Sequence, residues 1–129
     1  MSDATAGLQS QTPPEWIVKF FHEIDTKRFG PDFDCFTADG EMTFGVGHWV
    51  GLAQIKAKLQ EFDRGIDTKH TVTEFYDGGP VKIVRGEVTM KRHDGGDVVT
   101  PAMVHIFYMA DNDATKVRAV YGAVGPTSL

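Results

Sequence analysis

VKIVRGEVTMKRHDGGDVVTPAMVHIFYMA (residues 81–110) is the stretch whose reading decides the fold. Two β-rich runs flank Asp94-Gly95-Gly96-Asp97, a hairpin turn signal. If Gly95 and Gly96 form a two-residue turn, Asp94 faces Asp97, Val88 faces Met103, Gly86 faces His105 and Val84 faces Phe107. One face then carries Val84, Gly86, Val88, Met90, Val99, Pro101, Met103, His105, Phe107 and Met109. The other carries Arg85, Glu87, Thr89, Lys91 and Thr100 with Val104, Ile106 and Tyr108. The first face is the more apolar, so it points at whatever covers the sheet.

Outward from the hairpin, 69–76 and 116–124 read as further strands. They are set off by Asp77-Gly78-Gly79-Pro80 and by a loop over 111–115. Upstream, Thr12, Pro13, Pro14 and Glu15 open a first helix with capping-box spacing. Trp16, Ile17, Phe20, Phe21 and Ile24 form its apolar stripe, and Gly30 stops it. Residues 31–36 read as a short second helix, 41–45 as a strand, and His48 and Trp49 as part of a glycine-flanked loop. A third helix spans 52–64, with Leu52, Ile55, Leu59 and Phe62 on its buried face. About three N-terminal helices followed by a meander make one α+β domain over 12–129. Gly86 and Pro101 are the expected bend points of a curved antiparallel sheet. Residues 1–11, polar and without a basic start or apolar core, read as a flexible leader and not as a signal peptide.

Composition narrows the function. The chain of 129 residues has a formal net charge of −5, and its basic residues are scattered, against a nucleic-acid surface. No run approaches the ~20 apolar residues of a membrane span. The single Cys35 excludes an internal disulfide and reads as an inert buried thiol, which fits a reducing compartment; with neither signal peptide nor membrane span, the cytoplasm is the default. No HxH or HExxH spacing, Walker loop or dinucleotide-binding glycine pattern is present, so neither metal nor cofactor is expected.

His105 is the residue with chemical promise, mid-strand on an apolar face. An imidazole there suits general acid–base work, and equally a neutral core histidine. A loop over 111–115 places Tyr121 opposite it, with Val117, Ala119 and Ala123 lining the same interior. A loop one residue longer or shorter reverses that parity. His70 opens its strand and faces either Glu87 outside or the pocket, depending on the turn at 77–80.

FTADGEMTFG (36–45) followed by WVGLAQI (49–55), VRGEVT (84–89), and KVRAVYGA (116–123) followed by Pro126 occur in this order. In order and local sequence the chain resembles the SnoaL-like branch of the nuclear-transport-factor-2-like superfamily. The resemblance implies a cone-shaped domain around a pocket for a small hydrophobic molecule, and a homodimer packed through the outer sheet face. It implies a cofactor-independent isomerase, dehydratase or cyclase, or alternatively a non-catalytic ligand-binding module or dimeric interaction domain. His105 would move the proton and Tyr121 would orient it. Trp16, Phe20, Phe44, Trp49, Met103 and Phe107 would form apolar walls. The family's terminal strand often carries an inward aspartate where this chain has Tyr121-Gly122-Ala123, so the usual carboxylate is missing.

Overall fold

The computed structural model describes residues 9–111 and 113–126, so the first eight residues of the expected leader lie outside the described residues. The elements are α1 (Glu15–Asp25), a 3₁₀ turn (Pro31–Phe33), β1 (Phe36–Phe44), β2 (Gly47–Val50), α2 (Leu52–Asp63), β3 (Ile66–Asp77), β4 (Val81–Arg92), β5 (Ala102–Ala110) and β6 (Asp113–Val124). They form one six-stranded sheet in the order β2-β1-β6-β5-β4-β3. The sheet is mixed, because β1 pairs with β6 in parallel while the other pairs are antiparallel. The described residues form two α-helices rather than about three, since the segment after Gly30 makes only the 3₁₀ turn. The expected loop around His48 and Trp49 is strand β2, paired with β1. Pro14 caps α1 without a side-chain hydrogen bond, so the expected capping box does not form.

The inward face of the long hairpin is the one its alternation predicts: Val84, Val88, Met90, Met103, His105, Phe107 and Met109 are buried. The pairing is displaced by two, however. Val84 faces His105 and Gly86 faces Met103. The connection is a longer loop with Gly95 and Gly96 at φ 103° and 98°, left-handed angles that favour glycine. A slip of two residues preserves every face and changes every partner. Gly86 therefore does not open space beside His105. A Cβ there would lie 2.0 Å from the Thr71 carbonyl oxygen, at the bulge between Val72 and Glu74 of β3.

The last strand corrects a larger expectation. The pairing of β5 with β6 shifts at Tyr108 and Met109, which reverses the inside–outside parity along β6. Gly122 faces His105, and Tyr121 is 51% exposed on the outer face with its ring 5.9 Å from that of Tyr108. Tyr121 cannot orient His105 from there. Ala123 is likewise exposed, whereas Val117 and Ala119 are buried as expected, and Val120 and Gly122 are buried beyond the shift.

The stripe of α1 packs across this inner face. Phe20 stacks on Phe33 at 5.0 Å and meets Phe107 edge-on at 5.4 Å. Buried Glu23 serves the connection after α1, accepting the Gly30 amide at 2.8 Å. Ser10 and Gln11, within the expected leader, hydrogen-bond to Phe75 of β3. Burial pushes the Cys35 thiol up to about 12, so it stays protonated and inert. No helix among the described residues is long and apolar enough to cross a membrane.

Candidate functional site

Asp25 is the last residue of α1, and it reaches β3. Its carboxylate accepts from His70 Nδ1 at 2.6 Å, from the His70 backbone amide at 2.9 Å and from Thr68 Oγ1 at 2.9 Å. A carboxylate only accepts, so Nδ1 carries a proton in this pair, and in the neutral ring Nε2 is the atom left with the lone pair. Phe21 stacks on the imidazole with ring centroids 4.9 Å apart. Position, tautomer and ring plane of His70 are thus all set. His70 faces Val88 and points inward, which settles the alternative that its sequence position leaves open.

His70 lines a cavity of about 40 Å³, room for a few waters. Ile24, Met42, Leu59, Val88, Met90 and Val124 make most of the wall, and Phe44 meets Phe62 edge-on at 5.4 Å. The polar lining is Asp63, Thr68, His70 and His105, with no lysine or arginine.

His105 sits deeper, 5% exposed, between the rings of Phe20, Phe21 and Phe107. Its Nδ1 has no hydrogen-bond partner among the described residues. Burial, helped by the nearby His70, pushes it down to about 3, so it is neutral at physiological pH. A glycine does stand opposite it, but it is Gly122, where a Cβ would come 2.9 Å from His105 Nε2. Asp63 ends α2 and is 2% exposed, and its Oδ2 is unpartnered among the described residues. Burial raises its carboxyl to about 6 against a pull downward from His70.

Of the residues proposed from sequence, His105 and Phe44 line the cavity. Trp16 and Phe20, on α1 itself, pack on Phe107, and with Met103 they belong to the core and do not line the cavity. Trp49 lies on a surface groove with Lys58, Glu61 and Phe62. Tyr121 is outside. His48 and His93 pair with Glu41 and Asp67 on the surface. Among the described residues no three His, Cys, Asp or Glu side chains gather as a metal site would need.

Asp25 and Asp63 are the residues that sequence reasoning missed, and a signal for both exists. Asp25 follows Ile17 and Phe21 at steps of four; Asp63 follows Ile55 and Leu59 in the same way. An acid in register with a buried stripe points inward.

No family model matches the chain, and no curated protein sequence matches it. Solved structures do. A protein of ketosteroid isomerase-like fold from Catenulispora acidiphila, in complex with trimethylamine, superposes with a TM-score of 0.76 at 15% identity, covering 86% of this chain and 85% of that one. A SnoaL-like polyketide cyclase from Shewanella denitrificans gives 0.69 at 12% identity, covering 86% and 88%. An epoxide hydrolase of M. tuberculosis gives 0.68 at 11% identity, covering 85% and 80%. The fold is therefore the nuclear-transport-factor-2-like α+β cone, shared with SnoaL-like and isomerase-like proteins. At these identities the likeness is one of fold, and different chemistries share it.

Proposed function

We propose that this protein is a cofactor-independent proton-transfer catalyst, of the isomerase or dehydratase kind, acting on a small molecule in the cavity beside His70. The observation that carries this reading is the 2.6 Å Asp25–His70 pair, fixed by two further donors and lining a mostly apolar cavity. His70 Nε2 is the base and afterwards the acid. Asp25 is a positioning residue that holds the tautomer and stabilises the imidazolium. His105, the base expected from sequence, is kept neutral by burial, and its role becomes that of a wall and neutral hydrogen-bonding group. That the Catenulispora acidiphila protein of like fold forms a complex with trimethylamine supports the binding of a small molecule.

The test is hydrogen–deuterium exchange at carbon, followed by NMR, on butanone, cyclopentanone and aminoacetone. The wild type is expected to exchange at least one of them faster than free imidazole does. His70→Ala should lose about 100-fold or more, and Asp25→Asn should fall and change the pH profile. Exchange no faster than imidazole on all three, or a His70→Ala variant as active as wild type, overturns the catalytic reading in favour of a binding module.

A homodimer through the outer face belongs to the same proposal. Ile83, Val104 and Tyr121 are exposed there, and sedimentation at two concentrations tests it.

A further inference from the structure

Asp63 is a buried carboxylate that the proposed chemistry does not use. Among the described residues, every charged or titratable group facing it is engaged elsewhere, neutral or of the wrong charge. On β3, His70 gives Nδ1 to Asp25 at 2.6 Å. After α1, Lys27 is held on Asp67 Oδ1 at 2.9 Å. On β5, His105 is neutral, and Asp25 on α1 is another acid. No lysine or arginine lines the cavity. Buried carboxylates are ordinarily paired, because an unpaired one keeps its full desolvation penalty. The Oδ2, unpartnered among the described residues and nearly sealed from solvent, marks a place for a positive donor that those residues do not supply.

We propose that the cavity binds a small organic cation, an ammonium or amidinium on a short apolar body, with its N–H donors on Asp63. The apolar walls receive the body. This goes beyond the proposed function in naming the ligand class, and it takes over only that reading's choice of cavity. It also supplies something the proton transfer lacks. A carbanion formed by His70 needs positive charge beside it, and these walls carry no fixed cation. A substrate with a cationic nitrogen next to the acidic carbon brings its own.

Acetamidinium, acetamide and acetate share one shape and differ in charge, so they separate charge from fit. Each is titrated against the full chain by NMR at pH 7. Acetamidinium is expected to bind at least about tenfold more tightly than acetamide, with acetate weakest. Because the Asp63 carboxyl titrates at about 6, acetamidinium affinity should fall about tenfold between pH 7 and pH 5, where the carboxyl takes its proton. Asp63→Asn should remove the preference while keeping the wild-type amide spectrum. If that variant does not fold, the pH series on the wild type carries the test alone. No binding of acetamidinium, equal binding of acetamide, or a preference that survives Asp63→Asn overturns the inference. Cation binding without His70-dependent exchange overturns only the catalytic reading. Exchange on the neutral ketones without cation preference overturns only this inference.

Discussion

Replacing Asp63 by asparagine should make the protein more stable at neutral pH and less distinguishable from wild type in acid. The carboxyl titrates at about 6 in the folded chain against an ordinary 3.8. The folded form therefore holds its proton more tightly than the unfolded form. Ionisation favours unfolding, and stability from this group falls as pH rises through the window from 3.8 to about 6, then stays flat. The cost above the window is about 3 kcal/mol, at 1.36 kcal/mol per pH unit. Asparagine removes the charge but leaves an amide with too few partners, which costs about 1 kcal/mol or more. The net expectation at pH 7.5 is a gain of about 1–2 kcal/mol, or several degrees in Tm for a domain of this size. At pH 4.5 the linkage cost in wild type has shrunk to about 1 kcal/mol, so about 2 kcal/mol of the difference should vanish. Urea unfolding of both proteins at the two pH values, followed by circular dichroism, measures this. An Asp63→Asn variant that is less stable at pH 7.5, or a difference independent of pH, would refute the picture of an uncompensated buried carboxylate.

Other substitutions separate the remaining claims. His105 is depressed below its ordinary 6.5, so the stability of its neutral form is complete above 6.5 and lost as pH falls toward 3. His105→Leu should therefore lose about 2 kcal/mol less than wild type between pH 7.5 and pH 5 in urea titrations. Gly122→Ala puts a Cβ 2.9 Å from the His105 ring and should cost about 1–3 kcal/mol by thermal unfolding. Gly86→Ala would meet the Thr71 backbone oxygen at 2.0 Å, which cannot swing aside as a ring can, so it should cost more than Gly122→Ala. Tyr121→Phe, on the outer face, should change carbon exchange by less than about twofold, whereas His70→Ala removes it.

The faces of the hairpin strands could be read from sequence because side chains alternate with period two. That period survived a two-residue error in the loop at Gly95 and Gly96. The partners of His105 could not be read, because they depend on loop length and on the shift at Tyr108 and Met109, which leave no local sign. The same shift moved Tyr121 outside and Gly122 inside. Pocket walls were harder still. Trp16, Phe20, Met103 and Phe107, expected as pocket walls, sit in the core instead, because an apolar residue does not announce whether it borders a cavity or fills the core. The Asp25–His70 pair spans 45 positions and depends on where α1 crosses β3. Only the phase of Asp25 and Asp63 within their helical stripes was visible beforehand. Glu23 shows the limit of that signal, since it is also buried and serves the backbone at Gly30.

The two acids differ in a way that decides how each is interpreted. Asp25 and Asp63 each close a helix, α1 and α2. A helix C-terminus disfavours negative charge, so neither acid is there for the helix. Asp25 recovers the loss through three donors on β3. Asp63 recovers nothing through Oδ2, and burial holds its carboxyl up at about 6. A single exchange to asparagine would relieve that cost, and stabilising exchanges of this kind commonly trade against function. If Asp63→Asn stabilises the fold and abolishes acetamidinium preference, the strain at Asp63 belongs to the ligand. If it stabilises the fold and leaves binding untouched, the unpaired carboxylate has no role in recognition, and the argument from its isolation fails.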